Sequence, residues 1–152
     1  MTKQIEISII IPVYNEAESI VKLYSELIDK VNYNLEIIFI NDGSTDDSKN
    51  IIVELIHNND NIKLISFYKN QGKSEALNTG FKYAKGKIIV TLDADLQDDP
   101  AEIKYLIDEL DKGYDMVSGW KIKRKDPISK TLPSKLFNFV LRKVSKVKLH
   151  DF

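Results

Sequence analysis

Cysteine is absent from the 152 residues of this chain, and histidine occurs only twice, at His57 and His150. Without cysteine the chain cannot form a disulfide-stabilised fold, a zinc–thiolate site or a thiol nucleophile. Two histidines also disfavour a histidine-based metal site or a serine–histidine–aspartate triad. No run approaches the ~18–20 apolar residues of a membrane-spanning helix, and the first residues lack the apolar core of a signal peptide. We therefore expect a cytoplasmic location.

The rest of the composition is typical of a globular domain. Hydrophobic residues make up 43% of the chain and charged residues 30%, which suffices for a buried core beneath a polar surface. Domains commonly contain about 100–200 residues. Residues 1–152 are therefore predicted to form a single domain.

The net charge of −1 conceals an uneven distribution along the chain. Residues 1–120 contain 12 lysines against 21 acidic residues, a net charge of −9, whereas residues 121–148 contain 10 basic residues against one acid, a net charge of +9. Within the basic segment, apolar residues between Thr131 and Val147 recur mostly at three- and four-residue steps, which predicts an amphipathic helix with a cationic face. Such a helix is either an ordinary solvated surface or a segment that lies on an anionic membrane.

Short apolar runs alternate with segments of helical periodicity. Strands are predicted at Ile7–Val13, Leu35–Ile40, Ile62–Phe67, Lys87–Leu92 and Asp115–Ser118. Helices are predicted from Asn15 to about Lys30, from the cap at Thr45–Ser48 to about His57, from Lys73 to Ala84, and from Pro100 to about Lys112. This alternation predicts an α/β fold, a mostly parallel sheet with helices on both faces. Ligands of such sheets bind at the carboxyl ends of the strands.

Polar clusters follow three of these predicted strands and should converge on one edge of the sheet: Tyr14-Asn15-Glu16, Asn41-Asp42-Gly43 and Asp93-Ala94-Asp95. Asp93 and Asp95 come directly after the fourth strand, and two carboxylates at this spacing can both reach a divalent cation. Mg²⁺ and Mn²⁺ prefer carboxylate oxygen and share their ligand shell with substrate phosphates. The alternative for this loop is a plain helix entry, which is the interpretation we favour for Asp98 and Asp99.

Two further loops carry candidate ligand contacts. Asp42 follows the second strand beside Gly43, and its carboxylate could accept hydrogen bonds from a base or a ribose. The alternative is that Asp42 and Ser44 only cap the second helix. The loop Asn70–Lys73 precedes a helix and could contact a phosphate or a base.

These motifs, in this order, resemble glycosyltransferase family 2. Ile10–Glu16 is similar to the opening signature of that family, and Asn41–Asp46 is similar to its Asp-Asp-Gly-Ser motif, with Asn41 in place of the first acid. Asn70–Gly80 is similar to the third motif. Asp93–Gln97 resembles the metal motif of the branch that contains dolichyl-phosphate mannose synthases and bacterial polyprenyl-phosphate glycosyltransferases. The resemblance implies a Rossmann-like glycosyltransferase A fold.

The resemblance also implies roles for individual residues. The donor nucleotide would be bound by Pro12, Tyr14, Asn15, Glu16, Asp42, Gly72, Lys73 and Asp93. Asp93, Asp95 and Gln97 would hold the metal and the diphosphate. Where relatives often carry an arginine after the fifth strand, this chain has Lys121, with Arg124 close behind, and lysine offers only a point charge to a phosphate. The chain also ends where relatives continue, so a domain truncated at its C-terminal end is expected.

The implied reaction is a metal-dependent, inverting transfer of a sugar from a UDP- or GDP-linked donor. The expected acceptor is a polyprenyl phosphate, reached at the cytoplasmic face of a membrane through the basic segment 121–148. Transfer to a sugar hydroxyl would instead need a carboxylate base, for which Asp151 is the candidate. Rival hypotheses are a nucleotide-sugar-binding module without turnover and, less favoured, a phosphoesterase with an Asp-x-Asp motif.

Overall fold

The computed structural model describes residues 4–119 of the chain. The elements, in chain order, are β1 (Ile7–Val13), α1 (Ile20–Lys30), β2 (Leu35–Asn41), α2 (Ser48–His57), β3 (Ile62–Ser66), α3 (Lys73–Tyr83), β4 (Ile88–Thr91), a 3₁₀ turn (Pro100–Glu102) and α4 (Ile103–Leu110). Four predicted strands and four predicted helices are thus present, and their bounds differ from the predictions by a few residues. The predicted alternation of strands and helices is confirmed.

The four strands form one parallel sheet in the order β3-β2-β1-β4. All of β2 is buried, and β1 is buried except at Pro12. This burial explains why both strands are nearly continuous apolar runs. From β1 the chain passes to β2 on one side, and β4 later returns to the other side of β1. The crevice between β1 and β4 is therefore the switch point at which ligands of such sheets bind.

Helices cover both faces of the sheet. On one face, alternate residues of β1 and β2 pack with α1, α2 and α4 around a core whose largest member is the fully buried Phe39. On the other face, Ile10, Ile38 and Ile40 pack against Ala76 of α3. The prediction of helices on both faces is confirmed.

Pro12 stands near the end of a central strand, where a proline would normally remove a ladder hydrogen bond. Pairing of β1 with β4 ends at Ile10 and Thr91. The carbonyl of Ile10 accepts from the Leu92 N–H on the β4 side, and Pro12, two residues on, faces the same side. Its missing donor therefore costs no hydrogen bond. Beyond this point β1 and β4 separate and leave room for a cleft.

One predicted helix start and one predicted strand are wrong. Helix α1 begins at Ile20 rather than at Asn15, because Asn15 has a left-handed backbone (φ 57°) that cannot continue into a helix. The predicted fifth strand, Asp115–Ser118, is not a strand. Those residues are mostly exposed, and the sheet formed within residues 4–119 consists of β1 to β4 alone.

The residues up to Asp108 form one compact unit, and the described residues from Glu109 to Gly119 belong to a second. In the second unit the N–H groups of Lys112 and Gly113 donate to the carbonyls of Glu109 and Leu110, which closes the turn after α4. The single domain over 1–152 and its truncation stay predictions. Within residues 4–119, none of the helices has the length and apolarity to cross a membrane.

Candidate active site

A cleft of about 320 Å³ opens at the carboxyl ends of β1, β2 and β4. Its lining consists of Pro12, Val13, Tyr14, Glu16, Asp42, Asn70, Gly72, Lys73, Asp93, Ala94 and Asp95. The structure therefore brings together four loops that lie far apart in the sequence. Most of the residues that the sequence singled out for the donor nucleotide are in this lining.

Asp42 fastens the loop that precedes α3. The residue is 3% exposed. Oδ1 accepts from the Gln71 N–H at 2.7 Å and Oδ2 from the Gly72 N–H at 2.9 Å. A carboxylate has about four lone-pair sites, so Asp42 can still accept from a ligand in the cleft.

The close approach of this loop depends on Gly43. Its φ is +69°, and a Cβ there would lie 2.4 Å from the Lys69 carbonyl carbon. The alternative role of Asp42 and Ser44, capping α2, is wrong. The residue that precedes α2 is Asp47, which makes no capping side-chain hydrogen bond. The Ser44 Oγ instead accepts from the Asn15 N–H at 3.0 Å.

Asn15 links the loop after β1 to the loop after β2. Its Oδ1 accepts from the Thr45 N–H at 2.8 Å. In the same region the Glu16 N–H donates to the Ser48 Oγ at 2.9 Å, and the Ala17 N–H donates to Asp46 at 3.1 Å. Asn15 is not among the residues that line the cleft. Asn15 therefore links the two loops in the structure. Its contact with a nucleotide stays a prediction.

Asp46 is the acidic member of this link. Burial by itself would raise the pKa of its carboxyl group. Hydrogen bonds from the Ser48 hydroxyl and N–H and from the Ala17 N–H outweigh burial, so the pKa lies below its ordinary value. The sequence pattern predicts Thr45–Ser48 only as the cap and acidic first turn of α2, and it does not predict this cross-loop role of Asp46. The sequence signal was present: two polar loops follow neighbouring parallel strands, so their side chains meet at one sheet edge.

Asp93 and Asp95 stand directly after β4, as predicted. Asp93 Oδ1 accepts from the Lys73 Nζ at 2.5 Å. Asp95 Oδ1 accepts from the Gln97 N–H at 3.0 Å, across Leu96, which has a left-handed backbone (φ 61°). Gln97, which follows this turn, is not among the lining residues of the cleft. The role of the Gln97 side chain as a metal ligand stays a prediction.

Asp99 stands at a helix entry, and the prediction of that role is confirmed. Asp99 Oδ1 accepts from the Ala101 N–H at 3.0 Å, and Pro100 opens the 3₁₀ turn. Asp99 also pairs with the Lys30 Nζ at 3.0 Å. These two partners hold the pKa of Asp99 below its ordinary value, the Ala101 N–H contributing most.

The cleft suits a metal that shares its shell with a ligand. Within residues 4–119 no three His, Asp or Glu side chains are grouped closely enough to form a complete protein site. Two carboxylates, Asp93 and Asp95, do face one cleft. Mg²⁺ is usually bound in this way, by one or two carboxylates together with substrate phosphates. The donor set therefore fits a divalent cation that arrives with a nucleotide diphosphate.

Three predicted site residues lie outside the described residues: Lys121, Arg124 and Asp151. The same holds for the whole of the basic segment 121–148. Asn70 lines the cleft; it belongs to the loop predicted to contact a phosphate or a base, but it is not among the individual residues that the resemblance implies for donor binding. Its signal was the glycine loop in which it stands.

The chain has recognisable relatives. The family model described as Glycosyl transferase family 2 matches residues 8–151. The undecaprenyl-phosphate 4-deoxy-4-formamido-L-arabinose transferase of Shewanella sediminis is 37% identical over 150 residues, which cover 96% of this chain and 45% of that protein. The corresponding transferase of Pseudomonas syringae is 33% identical, over 96% of this chain and 44% of that protein. The chain thus spans a little under half the length of these relatives.

Solved structures resemble the chain in fold. A mannosyltransferase from Pyrobaculum calidifontis, in complex with GDP-Man and Mn²⁺, superposes with a TM-score of 0.57 at 27% identity, over 69% of this chain and 33% of its own. Residues 1–349 of TarS from S. aureus superpose with a TM-score of 0.61 at 23% identity, over 79% of this chain and 39% of their own. The predicted glycosyltransferase A type of α/β fold is confirmed. The family match contradicts the phosphoesterase hypothesis.

Proposed function

Because the chain belongs to glycosyltransferase family 2, we propose that its cleft binds a nucleotide-diphosphate sugar and transfers the sugar to a polyprenyl phosphate. The observation that carries this proposal is the convergence of Asp42, Lys73, Asp93 and Asp95 on one cleft at the switch point of the sheet. The acceptor is proposed from the relatives named as undecaprenyl-phosphate transferases. The donor class is proposed from the mannosyltransferase solved with GDP-Man.

We assign the two halves of the donor to different parts of the cleft. The nucleoside would lie between the loop after β1, with Tyr14 and Glu16, and the half-satisfied carboxylate of Asp42. The diphosphate would lie toward Lys73 and the carboxylates after β4. A divalent cation, Mg²⁺ or Mn²⁺, held by Asp93 and Asp95 would neutralise charge on the diphosphate as it leaves.

The proposed reaction is a single in-line displacement. An acceptor oxygen forms a bond to the anomeric carbon while the bond to the diphosphate breaks, and the electron pair leaves with the nucleoside diphosphate. The anomeric configuration is thereby inverted. A phosphate acceptor has lost its second proton near a pKa of about 6, so this chain needs no strong base for it. The ammonium group of Lys73, a residue of the cleft lining, would stabilise the departing charge.

The membrane part of the proposal rests on sequence alone, since residues 121–148 lie outside those described. An anionic membrane attracts nearby Lys and Arg with roughly 1 kcal/mol each. The chain should therefore sediment with anionic vesicles at low salt and little with neutral ones. Reversing Arg142, Lys143 and Lys146 to Glu should abolish this. Unchanged sedimentation of the triple variant would mean that the segment is only a solvated surface.

The test of the function is a binding and transfer assay. UDP- and GDP-sugars are screened by thermal shift with and without Mn²⁺, and the stabilising donor is then incubated with undecaprenyl phosphate and with a sugar hydroxyl acceptor. Asp95→Asn should lose Mn²⁺-dependent binding. Asp60→Asn serves as the matched control, because Asp60 is an exposed carboxylate in the turn before β3. Donor binding without transfer to either acceptor would favour the binding module, and no donor binding would refute the proposal.

A further inference from the structure

Lys73 and Asp93 form an ion pair across the cleft. The Nζ of Lys73 lies 2.5 Å from the Asp93 Oδ1, with 59% and 42% of the two side chains exposed. Lys73 is the first residue of α3, and Asp93 follows the end of β4. The backbone before Lys73 is held by the hydrogen bond from Gly72 to Asp42. The pair thus joins two elements whose positions the fold sets independently.

The ion pair lies in a cleft whose charged lining residues are mostly acidic. The lining contains four carboxylates, and Lys73 is its only cation among the residues that the structure describes. Asp42 is already satisfied in part by two N–H groups. Asp93 lines the same cleft, and its Oδ1 is in contact with the Lys73 ammonium. A divalent cation bound by Asp93 would meet that ammonium at close range, and like charges so near each other repel strongly.

We propose that Lys73 is a built-in counter-ion of Asp93, which a divalent cation must displace, and that the displaced ammonium then binds the donor diphosphate. The inference rests on the proposed function, since it takes Asp93 as a metal ligand. Lysine suits the exchange because its charge sits on a flexible four-carbon chain with three rotatable donors. The metal alone then binds weakly, because it competes with Lys73. The metal and the nucleotide bind tightly when both are present, because each favours the conformation in which the Lys73 ammonium has left Asp93.

Such coupling is reciprocal. If the nucleotide strengthens metal binding by some factor, the metal must strengthen nucleotide binding by the same factor. Removing the charge of Lys73 should therefore act in opposite directions on two affinities. Mn²⁺ alone should bind more tightly, and the nucleotide in the presence of Mn²⁺ should bind more weakly. A lysine that only positions Asp93, or only binds phosphate, would not give this reversal.

The experiment uses Lys73→Met, which keeps an unbranched side chain of nearly the same length and removes its charge. Binding of Mn²⁺ to the nucleotide-free chain is measured by electron paramagnetic resonance, and binding of UDP and GDP with saturating Mn²⁺ by calorimetry. Since exposed ion pairs contribute little, Mn²⁺ alone should bind about two- to fivefold more tightly. The preferred nucleotide should bind about tenfold more weakly, because a hydrogen bond to a charged group is lost.

Lys104→Met is the matched control. Lys104 and Asp108 form another 2.5 Å ion pair of similar exposure, 65% and 51%, on α4 and away from the cleft lining. This variant should change neither affinity. Unchanged or weaker Mn²⁺ binding by Lys73→Met would overturn the counter-ion role. If Asp95→Asn binds Mn²⁺ as well as the parent chain, the metal site of the proposed function fails, and the inference fails with it.

Discussion

The two ends of the sheet each carry a carboxylate with a lysine 2.5 Å away. One carboxylate is buried and the other is exposed. At the amino end Glu36 is 2% exposed and pairs with Lys63. At the carboxyl end Asp93 is 42% exposed and pairs with Lys73. The oxygens of Glu36 also accept from the Ser8 hydroxyl at 2.5 Å and from the Lys85 N–H at 2.7 Å. The buried carboxylate of Glu36 makes its hydrogen bonds within the fold, whereas the exposed carboxylate of Asp93 remains available to a ligand.

The register of the sheet explains the amino-end cluster. Ser8 lies directly opposite Glu36 on the neighbouring strand. The turn from α3 to β4 packs above them, and its Gly86 N–H donates to the Ser8 Oγ at 2.8 Å. This turn joins the two elements that carry Lys73 and Asp93 into the cleft. The amino end is thus an anchor for the frame of the site.

Replacing each carboxylate by alanine should separate the two ends most clearly. Glu36→Ala should lower the free energy of unfolding by about 3 kcal/mol, because it leaves Ser8 and the Lys85 N–H without their buried acceptor. Asp93→Ala should lower it by less than about 1 kcal/mol, as is usual for an exposed pair. Urea unfolding measures both. Equal losses would show that burial does not distinguish the two pairs.

Gly86→Ala should give the next largest effect. A Cβ at Gly86 would lie 2.5 Å from the Ser8 nitrogen and 2.6 Å from the Ile7 carbonyl carbon, so the turn would have to move. We expect a loss of about 2 kcal/mol, typical of overpacking, measured by urea unfolding. Gly119→Ala is the control, since a Cβ there meets no described atom within 4 Å. A loss of similar size in both variants would contradict the close packing of the turn.

At the carboxyl end of the sheet, the corresponding link is the hydrogen bond from Thr45 to Asn15. Substitution of Asn15 tests it. Asn15→Ala should lower the free energy of unfolding by about 1 kcal/mol, because the Thr45 N–H loses its acceptor. It should also weaken nucleotide binding, since Tyr14 and Glu16 flank it. Asn15→Gly removes the same hydrogen bond and tolerates the positive φ, so it should be less destabilised. Calorimetry with UDP and GDP, alongside urea unfolding, measures both effects. Full nucleotide affinity in Asn15→Ala would contradict the positioning role.

The smallest expected effect is one of pH. Burial would raise the pKa of Glu36, but the hydrogen bonds from Lys63, Ser8 and Lys85 hold it below the ordinary value of 4.5. This stabilisation is therefore complete above pH 4.5 and is lost as the pH falls through the lower pKa of the folded chain. The stability difference between the parent and Glu36→Gln should shrink between pH 6 and pH 3. A constant difference would show that the charge of Glu36 contributes nothing.

Much of the frame was predictable from the sequence. The apolar runs of β1 and β2 and the helical period of α1 are local patterns, so four strands and four helices could be located to within a few residues. Their alternation also predicted that Asp42, Asp93 and the loop after β1 meet at one sheet edge. The predicted strand at Asp115–Ser118 was wrong, because a strand needs a neighbour that local pattern does not supply.

The sequence by itself determined which segments become strands and helices and which loops reach the cleft, because burial periodicity and chain order are properties of neighbouring residues. Only the tertiary structure decided which polar side chains make their hydrogen bonds within the fold and which remain open to a ligand. Glu36 obtains its partners from 28 and 49 residues away, Asn15 from 30 residues away and Asp42 from 29 and 30 residues away. Hydrogen bonds at such separations depend on strand register and turn packing, and these exist only once the sheet has formed.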